Sequence, residues 1–141
     1  KIGIENSSRV NETFINEFLT LLEKHEADFT NSFRNLNNPH QLKRSLTDDD
    51  VFVQWNNKRI NLIGKENIHN SQKLMDSVNP CVIPRNHLVE QSLDDANNGN
   101  LETFYELLQV IQHPYSMPEN QKYLEPPSLE YEQSYRTFCG T

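Results

Sequence analysis

Asn79-Pro-Cys-Val-Ile-Pro-Arg-Asn-His-Leu-Val-Glu-Gln-Ser-Leu-Asp-Asp-Ala-Asn-Asn-Gly99 is the stretch that decides the fold. Pro80 and Pro84 set an extended lead-in. Pro84 suits the first turn of a helix, where its missing N–H has no partner to lose. Leu88, Val89, Ser92, Leu93 and Ala96 then recur at helical spacing and give one small, apolar face. Gly99 fits the position just past a helix, and Asn100 can cap the next one. The predicted element is a buried helix over 84–98, rigidly entered and sharply stopped.

Working outward, the same logic yields more helices and no period-2 strand. Val10, Phe14, Phe18, Leu21 and Leu22 share a face of a helix from Ser7 or Ser8 to Lys24. Asp28 or Thr30 opens a shorter one bearing Phe29, Phe33 and Leu36, and Asn37-Asn38-Pro39 stops it. Residues 40–46 are ambiguous. Thr47-Asp48-Asp49-Asp50 is a strong helix start, with acidic groups where the helix dipole favours them. Phe52, Trp55, Arg59, Ile60 and Ile63 form the inner face of that helix, and Gly64 ends it. A fourth helix over 67–78 turns Ile68, Leu74, Met75 and Val78 inward. After the 84–98 helix, a sixth over 101–112 carries Leu101, Phe104, Leu107, Leu108 and Ile111 on its core face. Leu93 and Leu108 are expected in the core on adjacent helices.

From His113 onward four prolines break regular structure while Tyr115, Tyr123, Tyr131, Tyr135 and Phe138 supply aromatic surface. Aromatics so placed argue that the segment docks on something. The expected architecture is all-α: a helical domain over 1–112, with about six helices, and an irregular proline- and aromatic-rich tail over 113–141.

Of the 141 residues 35% are hydrophobic, and the net charge is −7. The low apolar share fits either a polar-surfaced domain or a part whose missing contacts lie on another domain. Positive charges are scattered, so neither nucleic acid nor an anionic membrane is expected as a partner. No apolar run approaches the ~20 residues of a membrane span. No signal peptide opens the chain, and no initiator Met does, as expected of a piece of a longer protein. Cys81 and Cys139, the two cysteines, read as free thiols of a reducing compartment, and a cytoplasmic location is expected.

The order of several short stretches carries a resemblance. They are Lys1-Ile2-Gly3-Ile4, the run from Ala27 to Leu36, Trp55 with Arg59, and Asn79-Pro80…Ile83-Pro84-Arg85-Asn86-His87…Glu90. Gly99-Asn100…Phe104…Leu107-Leu108, Pro114-Tyr115, Pro126-Pro127 and the run from Tyr135 to Thr141 follow. Together they resemble the C-terminal end of the selenoprotein O/YdiU family, over nearly the whole chain. The resemblance implies a longer protein that moves AMP from ATP to hydroxyl side chains of proteins, using Mg or Mn ions. It also implies that this chemistry resides in a kinase-like domain N-terminal to this region. That domain and the protein substrates are the expected partners.

No catalytic, cofactor-binding or metal-ligating residue is expected within this chain. Gly3, Gly64, Gly99 and Gly140 are isolated, so no phosphate-cradling loop appears. Arg85, Asn86 and His87 are a candidate domain interface; the alternative is that they bond locally. His87 and Glu90 lie one turn apart but lack the further ligands a metal needs. Trp55 and Arg59 read as packing or as a cation–π pair, and Asp48-Asp49-Asp50 as a helix cap. Cys81 reads as a small buried hydrophobe. Cys139 is the redox candidate, because the resemblance places it where some animal members carry selenocysteine. The leading reading is a structural and regulatory C-terminal domain of a protein adenylyltransferase. The alternative is an independent helical protein-interaction module.

Overall fold

A computed structural model describes residues 1–5, 8 and 10–135. Among them every regular element is helical, as expected. The α-helices are α1 (Glu12–Lys24), α2 (Phe29–Arg34), α3 (Arg44–Thr47), α4 (Asp50–Ile63), α5 (Ile68–Val78), α6 (Asn86–Asn97), α7 (Glu102–Ile111) and α8 (Leu129–Ser134). The six predicted helices correspond to α1, α2, α4, α5, α6 and α7. The short α3 falls in the stretch the sequence leaves ambiguous, and α8 in the proline-rich region, where Ser128 Oγ caps it by accepting from Tyr131 N–H at 3.2 Å. The chain divides into two compact units, Lys1–Cys81 and Val82–Thr141.

The first unit is organised by aromatic stacking. Phe18, fully buried, lies parallel to Trp55 with centroids 4.5 Å apart and meets Phe33 edge-on at 5.1 Å. Phe14 stacks on Trp55 at 4.9 Å. The indole N–H donates to the Phe14 carbonyl at 2.8 Å, so a buried Trp keeps its polar handle satisfied. Leu21, Leu22, Leu36, Leu46, Phe52 and Met75 complete this core. Side-chain caps start the helices: Asn11 accepts from Phe14 N–H, Asp28 from Asn31 N–H and Asp49 from Val51 N–H. Arg34 closes α5 by donating to the carbonyls of Asp76 and Asn79 at 2.8 and 2.6 Å.

The N-terminal segment is threaded into this unit. Gly3 has φ +77°, and a Cβ there would come within 2.1 Å of Ser71 Oγ, so only glycine fits. Asn79 Nδ2 donates to the carbonyls of Lys1 and Phe33, tying the segment to the end of α2.

The second unit is an α6–α7 hairpin with residues 113–135 folded onto it. Gly99, at φ +88°, turns the chain between the helices. Asn100 N–H donates back to the Asp95 carbonyl, and Asn100 Oδ1 accepts from Glu102 N–H, as expected of a stop and a cap. Leu88 and Ser92 of α6 and Leu107 of α7 are buried. Three expectations fail here. Leu101, expected on the core face, is 49% exposed. Leu93 and Leu108 are not core residues but 49% and 37% exposed. Each lies one residue past a buried position, so the packed row runs through Ser92 and Leu107 and leaves its apolar neighbours at the margin. Val78, expected inside α5, is likewise exposed. The α6 helix begins at Asn86 rather than Pro84, with Arg85 in extended geometry as its N-cap.

Candidate functional site

Arg85, Asn86 and His87 stand where the chain enters α6, and the structure gives each a different surrounding. Arg85 is 5% exposed, and its Nη2 donates to the Leu124 carbonyl at 3.2 Å. Its guanidinium thus grips the backbone of the segment that follows α7. Asn86 is exposed. His87 is half-buried and meets the Tyr131 ring edge-on, 5.8 Å between centroids. Burial, helped by the nearby Arg85 charge, lowers the imidazole pKa and favours the neutral ring.

One turn on, Glu90 turns to the segment that follows α7. It accepts a 2.5 Å hydrogen bond from the Tyr131 hydroxyl. Burial and the Glu90 carboxylate both push that phenol's pKa upward. A parallel set binds α7: Glu106 accepts from the Tyr123 hydroxyl at 3.1 Å and from Lys122 Nζ at 3.2 Å. The ammonium bond first, and the phenol bond next, lower the Glu106 carboxyl pKa. Tyr123 and Tyr131, two of the aromatics expected to dock, are therefore held by carboxylates of α7 and α6. No motif signals these pairs, because the partners lie 41 and 17 residues apart.

In the first unit the polar groups likewise support backbone. Trp55 and Arg59 are both buried, but the guanidinium turns to four neutral acceptors. Nε donates to Asn56 Oδ1, Nη1 to the Ile2 carbonyl, and Nη2 to the Leu36 carbonyl and Asn37 Oδ1, at 2.7–3.1 Å. Burial brings its pKa down to about 10, so it stays charged at neutral pH. Within the Asp48-Asp49-Asp50 cap, Asp49 accepts from Lys24 at 2.7 Å and lies 2.8 Å from His25 Nε2. Those bonds, then the one from Val51 N–H, hold its carboxyl well below the usual carboxylate range. An open, polar cleft of about 240 Å³ beside the N-terminal segment is lined by Gly3, Glu5, Asn67, Asn70 and Ser71 among others. Cys81 is buried, as expected. Cys139 lies outside the described residues. No helix among the described residues is long and apolar enough to cross a membrane.

Fold and site together define an all-helical chain in which Arg59 and Arg85 hold backbone segments to helices, and Glu90 and Glu106 hold tyrosines of the segment after α7. The sequence profile of the family described as Protein adenylyltransferase SelO matches residues 1–112, and the chain belongs to that family. It is similar over its full length to proteins named "Protein nucleotidyltransferase YdiU". Identity is 38% over 144 residues to the protein of Lachnoclostridium phytofermentans and 40% over 146 residues to that of Alkaliphilus metalliredigens. It is 35% over 145 residues to that of Pelagibacter ubique. The chain spans only 29–30% of the length of these curated relatives. These matches establish the family.

Proposed function

We propose that this chain is a structural and regulatory part of a protein adenylyltransferase whose kinase-like catalytic domain lies outside it. The observation that carries the reading is the family match over residues 1–112 in a chain spanning 29–30% of its relatives' length. The use of Arg59, Asp49, Arg85, Glu90 and Glu106 as backbone and side-chain clamps supports a bracing role rather than a reacting one. The motif order from Asn79 onward supports a C-terminal position. In the whole protein, ATP with Mg or Mn would supply the AMP group: a protein hydroxyl, losing its proton, bonds to the α-phosphorus as the α–β phosphoanhydride breaks and pyrophosphate leaves. The regulatory half of the proposal rests on Cys139, the redox candidate, forming a disulfide with a cysteine of the catalytic domain as an oxidant removes two electrons and two protons.

The test is transfer of AMP from ATP by the full-length protein and by this chain, side by side. The full-length protein should label protein hydroxyls and the chain alone should not. Saturable ATP binding by the chain alone, tighter than roughly millimolar, about −4 kcal/mol, would overturn the assignment. For the regulatory half, Cys139→Ser in the full-length protein should abolish any dependence of transfer on reductant. An unchanged dependence removes Cys139 from the scheme.

A further inference from the structure

We propose that the outer face of the α6–α7 hairpin docks against the remainder of the longer polypeptide, through a surface there that is apolar at its centre and basic at its rim. This rests on the reading that a catalytic part lies outside this chain. Leu101, Tyr105 and Leu108 follow one another at spacings of four and three, which places them along one side of α7. They are 49%, 60% and 37% exposed. On α6, Leu93 follows buried Ser92 by one residue, just as Leu108 follows buried Leu107. In an antiparallel pair whose buried rows face each other, that shared offset turns both side chains to the same side of the hairpin. The hydrogen bond from Thr103 Oγ1 to Asp95 sets the register and brings Leu93 level with Tyr105. Large apolar side chains grouped in this way mark an interaction surface, whereas single exposed ones do not.

Charge selects the occupant. Over residues 82–141 there are nine acidic residues against three basic ones, so this stretch holds six of the chain's seven net negative charges. Glu90 and Glu102 are exposed, and each precedes a member of the patch by three residues, Leu93 and Tyr105 respectively. Of the described bases in this stretch, Lys122 is held by Glu106 and Arg85 is buried. An apolar patch with an acidic rim attracts a basic counter-surface and repels a second copy of itself. The relatives' length supplies a candidate occupant in the same polypeptide, because about 70% of each lies beyond the matched part.

The experiment is photo-cross-linking in the full-length protein. Tyr105→p-benzoylphenylalanine replaces one exposed aromatic by another, and Leu101→p-benzoylphenylalanine samples the same face independently. Gln91→p-benzoylphenylalanine is the control, since Gln91 is exposed and precedes Ser92 by one residue, on the other side of α6. Cross-linked peptides from positions 105 and 101 should map outside these 141 residues, in clear excess over the control. Cross-links to residues 1–81, a cross-linked dimer, or yields no higher than the control would each overturn the inference. AMP transfer by the same proteins separates the two ideas. Transfer without the cross-link removes only the docking face, whereas the cross-link without transfer leaves the face and removes the enzymatic reading.

Discussion

Arg59 is fully buried and donates to four oxygens from three parts of the first unit. Its position on the inner face of α4, one turn from Trp55, is legible in the sequence. Its partners are not, because the Ile2 and Leu36 carbonyls lie 57 and 23 residues away. Arg59→Ala leaves those acceptors buried without donors and should cost about 3 kcal/mol or more, read as a lowered urea midpoint. Arg59→Lys should recover only part of the loss, since an ammonium cannot reproduce the planar fork. Asp49 gives a pH-dependent counterpart. Its folded pKa is depressed, so the unfolded chain binds the proton more readily. The stabilisation is therefore fully present above about pH 4, the ordinary carboxylate value, and is lost as pH falls below it. The melting temperatures of wild type and Asp49→Asn should differ at neutral pH and converge on acidification; a gap that stays constant would contradict this.

Helix identity is the most legible feature, because caps and spacing agree. Asp28 and Asp49 cap as their sequence positions suggest, and Gly99 turns the hairpin as its place after the apolar run requires. Which of two adjacent apolar positions faces inward is less legible. Leu88, Val89, Ser92, Leu93 and Ala96 span a broad face, and only the opposing helix determines which row it covers. A serine occupies the packed row at position 92, where hydrophobicity alone points to Leu93. The consequence is measurable. Leu107→Ala removes a buried side chain and should cost about 2–5 kcal/mol. Leu93→Ala and Leu108→Ala in this chain should each cost well under half of that. Equal losses at all three positions would mean that Leu93 and Leu108 are packed after all.

Over the whole molecule, the chain is all-α as its spacing predicts, and its compact units are Lys1–Cys81 and Val82–Thr141. The sequence could not show this, because residues 113–135 are irregular locally and are ordered by distant partners: the Leu124 carbonyl by Arg85, Tyr123 by Glu106 and Tyr131 by Glu90. The expected docking of aromatics is seen for Tyr123, which is buried, and for Tyr131.

The stacking around Trp55 has an optical corollary. The single tryptophan lies in the first unit and all five tyrosines lie in the second, so indole and phenol are spectroscopically separate reporters of the two. Phe18→Leu takes away one ring stacked on the indole and should shift Trp55 emission to the red. Tyr123→Phe should alter the tyrosine band of the near-ultraviolet circular dichroism by releasing the phenol from Glu106. Two colours already built into the chain thus allow each half to be watched by its own light, without an added label.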